Sequence, residues 1–165
     1  PDLRDVLAGI PWAVAGAVAT RAYMPERATQ DLDVLVAVEH AAEVRSRLEA
    51  AGYGTVQRLV IGGTTYRSPE GSLVDVIESA LPWVSEALRA LAHDAQGLPI
   101  LTLPYLTLMK VQAGRAQDLA DAARMLGLAS RALREETRGV FRRWLPEAME
   151  DLESLITLGE LEMGQ

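Results

Sequence analysis

The sequence contains no cysteine and only two histidines, and each scarcity removes a class of function. Without cysteine there is no disulfide, no thiolate nucleophile and no zinc–sulfur centre. His40 and His93 are far apart and lack the spacing of metal ligands. No apolar run reaches the roughly 18 residues that a transmembrane helix needs. The net charge of -7 provides no overall basic field for nucleic acid or for an anionic membrane.

The 165 residues are 49% hydrophobic with a single Phe, so a core would be built from Leu, Val, Ala and Ile. Pro1 is followed by neither a basic segment nor an apolar signal sequence, so we expect a cytoplasmic protein. A β-rich pattern ends near residue 101 and a helical pattern follows, which predicts an α+β or mixed α/β domain. The predicted strands are 12–15, 31–38, 55–61, 64–67, 72–77 and 98–101. The predicted helices are 2–8, 17–24, 39–51, 82–92, 104–126, 131–145 and 146–161.

Asp31 and Asp33 lie one residue apart inside an apolar run that continues to Val38. On a strand, alternate residues share a face, which places the two carboxylates roughly 6–7 Å apart along the backbone. Like charges beside a buried strand are unfavourable unless something neutralises them, and Mg²⁺ is the usual partner of paired oxygens. Alternatively, both acids lie on a solvated strand face. The doublet alone leaves both interpretations open.

Asp75 lies in the middle of a second apolar strand, Leu73–Ile77. If this strand is a neighbour of the strand with the doublet, the three carboxylates can hold one or two Mg²⁺ ions that bridge a triphosphate. The alternative is an edge-strand Asp75 that faces water. Glu78 would lie on the opposite face of the strand and is a weaker candidate.

These elements together resemble the nucleotidyltransferase superfamily, especially its small bacterial members and the AbiEii-type toxins. The resemblance covers roughly residues 10–127 and starts with a small-residue turn that is followed by an Asp-hydrophobic-Asp doublet. The matching segments are Val14-Ala15-Gly16-Ala17, Arg27-Ala28-Thr29-Gln30, Asp31-Leu32-Asp33, Leu73–Ile77 and Pro104–Lys110, with Arg115, Asp118 and Asp121 after them.

The resemblance implies a nucleotidyltransferase-like domain in residues 1–127, with a twisted mixed β-sheet flanked by helices, and a helical extension in residues 128–165 packed on it. It implies Mg²⁺-dependent transfer of a nucleoside monophosphate from a nucleoside triphosphate to an acceptor hydroxyl on a small molecule, a protein or a tRNA. The implied catalytic residues are Asp31, Asp33, Asp75 and Lys110, of which the three acids are metal ligands. The implied nucleotide-binding residues are Gly16, Ala17, Thr20, Arg27 and Thr29.

The turn departs from the family pattern, which usually has Gly-Gly or Gly-Ser where this chain has Gly16-Ala17. Ala17 supplies no hydroxyl to a phosphate and disfavours a positive φ. Backbone N–H groups at the following helix, and the Thr20 hydroxyl, remain available. The departure keeps open a non-catalytic alternative, a nucleotidyltransferase-fold binding protein or a toxin–antitoxin component, as a homodimer or with a cognate antitoxin.

Lys110 lies on the predicted helix 104–126, where it either neutralises phosphate charge or lies on a solvated face. Asp118 and Asp121 would be about 12 and 16 Å further along that helix axis. We therefore expect them to pair with Arg115 and Arg124 at i,i+3 spacing.

Overall fold

The computed structural model of the chain describes residues 2–25 and 31–164. These residues divide into two compact units, one formed by 2–19 and 31–101 and the other by 20–25 and 102–164. The first unit contains every described strand, whereas the second is helical. The division follows the change from β-rich to helical sequence near residue 101. It does not decide the extent of a nucleotidyltransferase-like domain, so the boundary between residues 127 and 128 stays a prediction.

Seven strands and eight α-helices are formed by the described residues. The strands are β1 Trp12–Val14, β2 Asp31–Ala37, β3 Gly54–Arg58, β4 Gly63–Arg67, β5 Leu73–Ser79, β6 Leu91–His93 and β7 Pro99–Leu101. The helices are α1 Leu3–Val6, α2 Gly16–Thr20, α3 Ala41–Ala50, α4 Val84–Ala87, α5 Leu103–Ala113, α6 Ala116–Leu128, α7 Arg131–Trp144 and α8 Met149–Met163. Short 3₁₀ turns at Val38–His40 and Pro146–Ala148 precede α3 and α8. No described helix is long and apolar enough to cross a membrane.

The strands form one mixed sheet in the order β3-β4-β5-β2-β1-β7-β6. β2 is parallel to β5 and β1 is parallel to β7, whereas all other neighbours are antiparallel. The central strand β2 begins at the exposed Asp31 and ends in the fully buried run Val34–Ala37. A continuous run of Val, Leu and Ala suits a central strand that is covered on both faces. The predicted mixed α/β class is confirmed.

The helix predicted over residues 82–92 is wrong in its second half. α4 ends early, and Leu91–His93 forms the edge strand β6, which pairs with β7. In the connecting turn, Asp94 Oδ1 accepts two backbone N–H groups at 2.9 and 2.8 Å, and Gly97 has a φ of +80°. An Asp and a Gly placed in this way are a hairpin signal. Pairing with β7 therefore outweighs the helix propensity of the Leu-Ala segment.

The long helix predicted over residues 104–126 is also wrong, because it is two helices. α5 ends before Gly114, which has a φ of +66° and donates its N–H to the carbonyl of Lys110. A glycine in the left-handed region is a common end of a helix, since it has no Cβ to clash. The break turns α6 back against α5. Residues on α6 therefore do not continue along the axis that carries Lys110.

Two helices of the second unit touch through their backbones. A Cβ added to Gly159 on α8 would lie 2.0 Å from the carbonyl oxygen of Ala123 on α6. A Cβ added to Gly127 would lie 2.3 Å from the carbonyl oxygen of Gly159. Buried Leu152 and Ile156 belong to the same stretch of α8. The α6–α8 contact therefore requires glycine at both positions.

Gly159→Ala should lower the free energy of unfolding by about 1–3 kcal/mol, because the added methyl meets backbone that cannot move aside. Gly139→Ala on α7 is the matched control, since an added Cβ there has nothing within 4 Å. The control should stabilise the protein by up to about 1 kcal/mol through its higher helix propensity. Urea unfolding followed by circular dichroism measures both changes. Equal effects of the two substitutions would contradict the close approach.

Candidate active site

Two of the predicted metal ligands lie side by side in the sheet. Asp33 on β2 is directly opposite Asp75 on β5 in the parallel register. Neighbouring strands are about 4.8 Å apart, and paired residues project from the same face. Both side chains are partly exposed. The condition set by the sequence analysis, that the strand of the third acid adjoins the strand of the doublet, is therefore met.

Asp31 shares that face but lies two residues earlier on β2, opposite Leu73 instead of an acid. It is exposed and roughly 6–7 Å from Asp33 along the strand. Within residues 2–25 and 31–164, no three His, Asp or Glu side chains form a group that could hold a metal ion. The structure thus brings together two of the three predicted ligands and leaves Asp31 apart.

The turn after β1 lies directly against Asp33. The N–H of Ala15 donates to the backbone carbonyl of Asp33 at 2.9 Å, which continues the pairing of β1 with β2. Gly16 follows with a φ of +58°, and a Cβ on it would lie only 1.8 Å from Asp33 Oδ2. No side chain fits at position 16 unless the carboxylate moves. The glycine turn and the acidic doublet, which are separate motifs in the sequence, are one structural feature.

The remaining predicted nucleotide-binding residues follow this turn. Ala17 and Thr20 on α2 are buried, with exposures of 8% and 1%. α2 ends at Thr20, earlier than predicted, and the Thr20 carbonyl accepts two backbone N–H groups of the turn that follows, including that of Met24. The nucleotide-binding roles of Ala17 and Thr20 stay predictions. Arg27 and Thr29 lie outside the described residues.

Asp75 has a partner that the sequence reasoning missed. Thr65 lies directly opposite it on β4, and its hydroxyl donates to Asp75 Oδ1 at 2.6 Å. This length is typical of a hydroxyl bound to an ionised carboxylate. The hairpin signal Pro69-Glu70-Gly71 could have identified the pair, because counting outward from that turn places residue 65 opposite residue 75.

Lys110 lies in the helical unit, and its ammonium group is bonded there. Its Nζ donates to Asp121 Oδ2 at 3.0 Å and to Asp118 Oδ1 at 3.3 Å. All three residues are buried, and Asp121 is completely inaccessible. The separations of about 12 and 16 Å expected from one continuous helix are wrong, since the break at Gly114 folds α6 back onto α5. The predicted role of Lys110 at a phosphate stays a prediction.

The charges around Asp118 explain how it remains ionised while buried. The expected pairing with Arg115 is confirmed, with Arg115 Nε 2.6 Å from Asp118 Oδ2. Burial acts to raise the pKa of Asp118, but hydrogen bonding from Arg115 and the charge of Lys110 outweigh it and hold that pKa below its ordinary value. Arg124, the other expected partner on α6, instead pairs with Glu162 on α8 at 2.9 Å.

Comparison with known proteins shows the fold of this chain. No family model and no curated protein match the sequence. The solution structure of the antibiotic-resistance factor ANT(2'')-Ia matches with a TM-score of 0.57 and 15% identity, over 92% of this chain and 95% of that one. The lincosamide antibiotic adenylyltransferase LnuA, bound to lincomycin, matches with a TM-score of 0.50 and 11% identity, over 77% of this chain and 94% of that one. TM1012 from Thermotoga maritima, a proposed nucleotidyltransferase, matches with a TM-score of 0.52 and 15% identity, over 88% of this chain and 91% of that one.

The chain therefore has the nucleotidyltransferase-like fold that its motifs predict. At these identities the similarity shows the fold and not the reaction. The resemblance to the superfamily is confirmed at that level. The narrower assignment to the AbiEii-type branch stays a prediction.

Gly16→Ala should destabilise the protein through two separate effects. The left-handed backbone costs an alanine about 1–2 kcal/mol, and overlap with the Asp33 carboxylate adds about 1–3 kcal/mol. Gly71→Ala is the matched control, because Gly71 also has a positive φ, of +93°, but open space around it. It should show only the backbone effect. Free energies of unfolding in urea measure the difference, and equal losses would contradict the contact with Asp33.

Lys110→Met should lower the free energy of unfolding by about 3–5 kcal/mol at pH 7, because it leaves buried carboxylates without their cation. Arg124→Met removes a half-exposed ion pair between the neighbouring helix α6 and α8 and should cost at most about 1 kcal/mol. Urea unfolding of both variants at pH 7 makes the comparison. Equal costs would contradict a buried charge cluster.

The same variants test the pH dependence. A carboxyl whose pKa is lowered by folding, such as Asp118, contributes stability above its unfolded pKa of about 3.9, and this contribution is lost as pH falls through its folded pKa. The deficit of Lys110→Met relative to wild type should therefore shrink below about pH 4. A deficit that is independent of pH would show that packing and not charge causes it.

Proposed function

We propose that this chain is a divalent-metal-dependent nucleotidyltransferase. It transfers a nucleoside monophosphate from a nucleoside triphosphate to an acceptor hydroxyl, and pyrophosphate leaves. The observation that carries the proposal is the carboxylate pair of Asp33 and Asp75 on adjacent strands, with the backbone of Gly16 against Asp33. The similarity in fold to proteins named as nucleotidyltransferases supports it.

The carboxylate pair has the chemistry of a magnesium site. Mg²⁺ is usually bound through one or two carboxylates, together with substrate phosphates and water. Two acids are therefore enough, and the third need not converge with them. Asp33 and Asp75 would hold the ion, and Asp31 lies on the same face of β2. When bound, Mg²⁺ would neutralise charge on the triphosphate and on the departing pyrophosphate.

The residues of the chain have distinct tasks in this proposal. Asp75 lies beside Asp33 and is partly exposed, so its carboxylate can accept the proton of the acceptor hydroxyl. Gly16 lets the Asp33 carboxylate lie directly against the backbone of the turn, because it has no side chain. The proposal does not use Lys110, whose ammonium group is bonded to two carboxylates of the helical unit.

We propose a small-molecule acceptor, preferably a cationic one. Two of the similar structures are named as an antibiotic-resistance factor and as an antibiotic adenylyltransferase. The net charge of -7 attracts cations at long range. The same charge opposes RNA, because phosphate contacts would have to overcome it. A protein hydroxyl or the end of a tRNA is the alternative acceptor.

One observation favours a non-catalytic function. Ala17 is buried and has no hydroxyl to offer a phosphate where the superfamily often has serine. A nucleotidyltransferase-fold binding protein, including a component of a toxin–antitoxin pair, is therefore the second candidate. Its distinguishing property would be a carboxylate pair without any Mg²⁺-dependent affinity for nucleotides.

Calorimetry with ATP, CTP, GTP and UTP, with and without Mg²⁺, separates the two candidates. Wild type should bind at least one nucleotide more tightly with Mg²⁺. Asp33→Asn and Asp75→Asn should each weaken that Mg²⁺-dependent binding about tenfold or more, because an amide is a poor ligand for a hard cation. Glu78→Gln is the matched control, since Glu78 lies on the opposite face of β5 near Arg45.

Pyrophosphate release in the presence of cationic polyhydroxylated compounds such as aminoglycosides then tests transfer. The two Asp variants should lose about a hundredfold or more of the rate, and the Glu78 control should not. Binding of no nucleotide by wild type, or equal binding by wild type and the Asp variants, would favour the non-catalytic function.

A further inference from the structure

Three side chains form a row across adjacent strands at one register. Thr65 on β4 is opposite Asp75 on β5, and Asp75 is opposite Asp33 on β2. Residues paired across a sheet project from the same face, so the row lies on the face of the candidate active site. Thr65 is at its outer end, and the Gly16 turn lies against Asp33 at the other end.

The contact between Thr65 and Asp75 is built to be rigid. The hydroxyl has a single hydrogen, which it donates to Asp75 Oδ1 at 2.6 Å. Thr65 is only 4% exposed, so water competes little for that bond. A β-branched side chain in a strand also has few rotamers to choose from. The position of Asp75 Oδ1 is thereby fixed.

The bond decides which oxygen of Asp75 is available. Among the described residues, Thr65 is the one hydrogen-bonding partner of the Asp75 side chain, and it uses Oδ1. Oδ2 is therefore left for a ligand. A hydrogen bond to the ionised carboxylate also offsets part of the repulsion from Asp33 across the strand pair.

We propose that Thr65 is a positioning residue that orients the Asp75 carboxylate and presents its Oδ2 to a divalent cation. The inference rests on the proposed function for the nature of the ligand. Thr65 itself would touch neither nucleotide nor metal, and its effect would pass through Asp75. Removal of its hydroxyl would leave the carboxylate free to rotate away from the productive orientation.

The chain supplies a close internal control in Thr64. It is the adjacent residue on β4 and is equally buried, but it projects from the opposite face, where its Oγ1 accepts from Arg58 Nη1 at 3.2 Å. Thr64→Val and Thr65→Val therefore make the same chemical change at the same depth of burial. They differ in whether the lost hydroxyl is bonded to Asp75.

Binding of Mn²⁺, without nucleotide, to the full chain tests the proposal when free Mn²⁺ is measured by electron paramagnetic resonance. Thr65→Val should weaken Mn²⁺ binding about 10- to 100-fold, the usual effect of losing a group that orients a metal ligand. Thr65→Ser, which keeps the hydroxyl, should bind within about threefold of wild type, and so should Thr64→Val. Circular dichroism confirms that each variant is folded.

Each outcome decides the proposal. Equal Mn²⁺ affinity in wild type and Thr65→Val would overturn it, and so would weak binding by a folded Thr65→Ser or by Thr64→Val. If Thr65→Val fails to fold, Thr65→Ala, which also removes the hydroxyl, replaces it, and Mn²⁺ affinity equal to wild type in Thr65→Ala would overturn the proposal in the same way. Absence of Mn²⁺ binding to wild type would also overturn it. The calorimetry of wild type with nucleotides tests the proposed function separately, so a failure of one proposal can be told from a failure of the other.

Discussion

Electrostatic repulsion between Asp33 and Asp75 is the main constraint on the β-unit, the unit that contains every described strand. The two carboxylates lie on neighbouring parallel strands at the point where burial begins, since Val34 and Val76 directly after them are buried. Paired like charges at the edge of a core are unfavourable without compensation. The structure provides part of that compensation through Thr65, which bonds to Asp75. A bound cation would neutralise the pair further, as the proposed function requires.

The helical unit buries its charges more deeply than the pair of Asp33 and Asp75, and neutralises them internally. Lys110 bonds to Asp118 and Asp121, and Arg115 adds a second cation to Asp118. Two positive and two negative charges therefore balance, and the buried carboxylates have partners on the protein. A cluster neutralised in this way requires no ligand, and removal of one of its partners is strongly destabilising. The helical cluster is therefore neutralised by cations of its own unit, whereas Asp33 and Asp75 are two acids at one register of the sheet.

Local pattern predicted most of the β-unit because each strand there agrees with its context. The run from Asp31 to Val38 and the strand at Leu73–Ile77 are apolar, β-branched and bounded by turn residues, so both strands follow from sequence. The sequence left open whether the two strands are neighbours, and the register of the sheet shows that they are. The edge strand at Leu91–His93 could not be predicted from the sequence, because only its pairing with β7 distinguishes it from the end of a helix. The contacts of Lys110 depended on one glycine, Gly114, whose left-handed conformation reverses the chain inside a helical pattern.

Positions 16 and 17 of the turn differ in which residues their backbone allows, and the sequence motif does not show this difference. Only Gly16 needs glycine, for its positive φ and for its approach to Asp33 Oδ2. Ala17 lies within α2, and no non-glycine residue among those described has a positive φ, so alanine suits the backbone there. The departure from the family pattern therefore removes a hydroxyl without disturbing the geometry of the carboxylates. The contact of Gly16 with Asp33 and the register that sets Asp33 opposite Asp75 therefore do not depend on a hydroxyl at position 17.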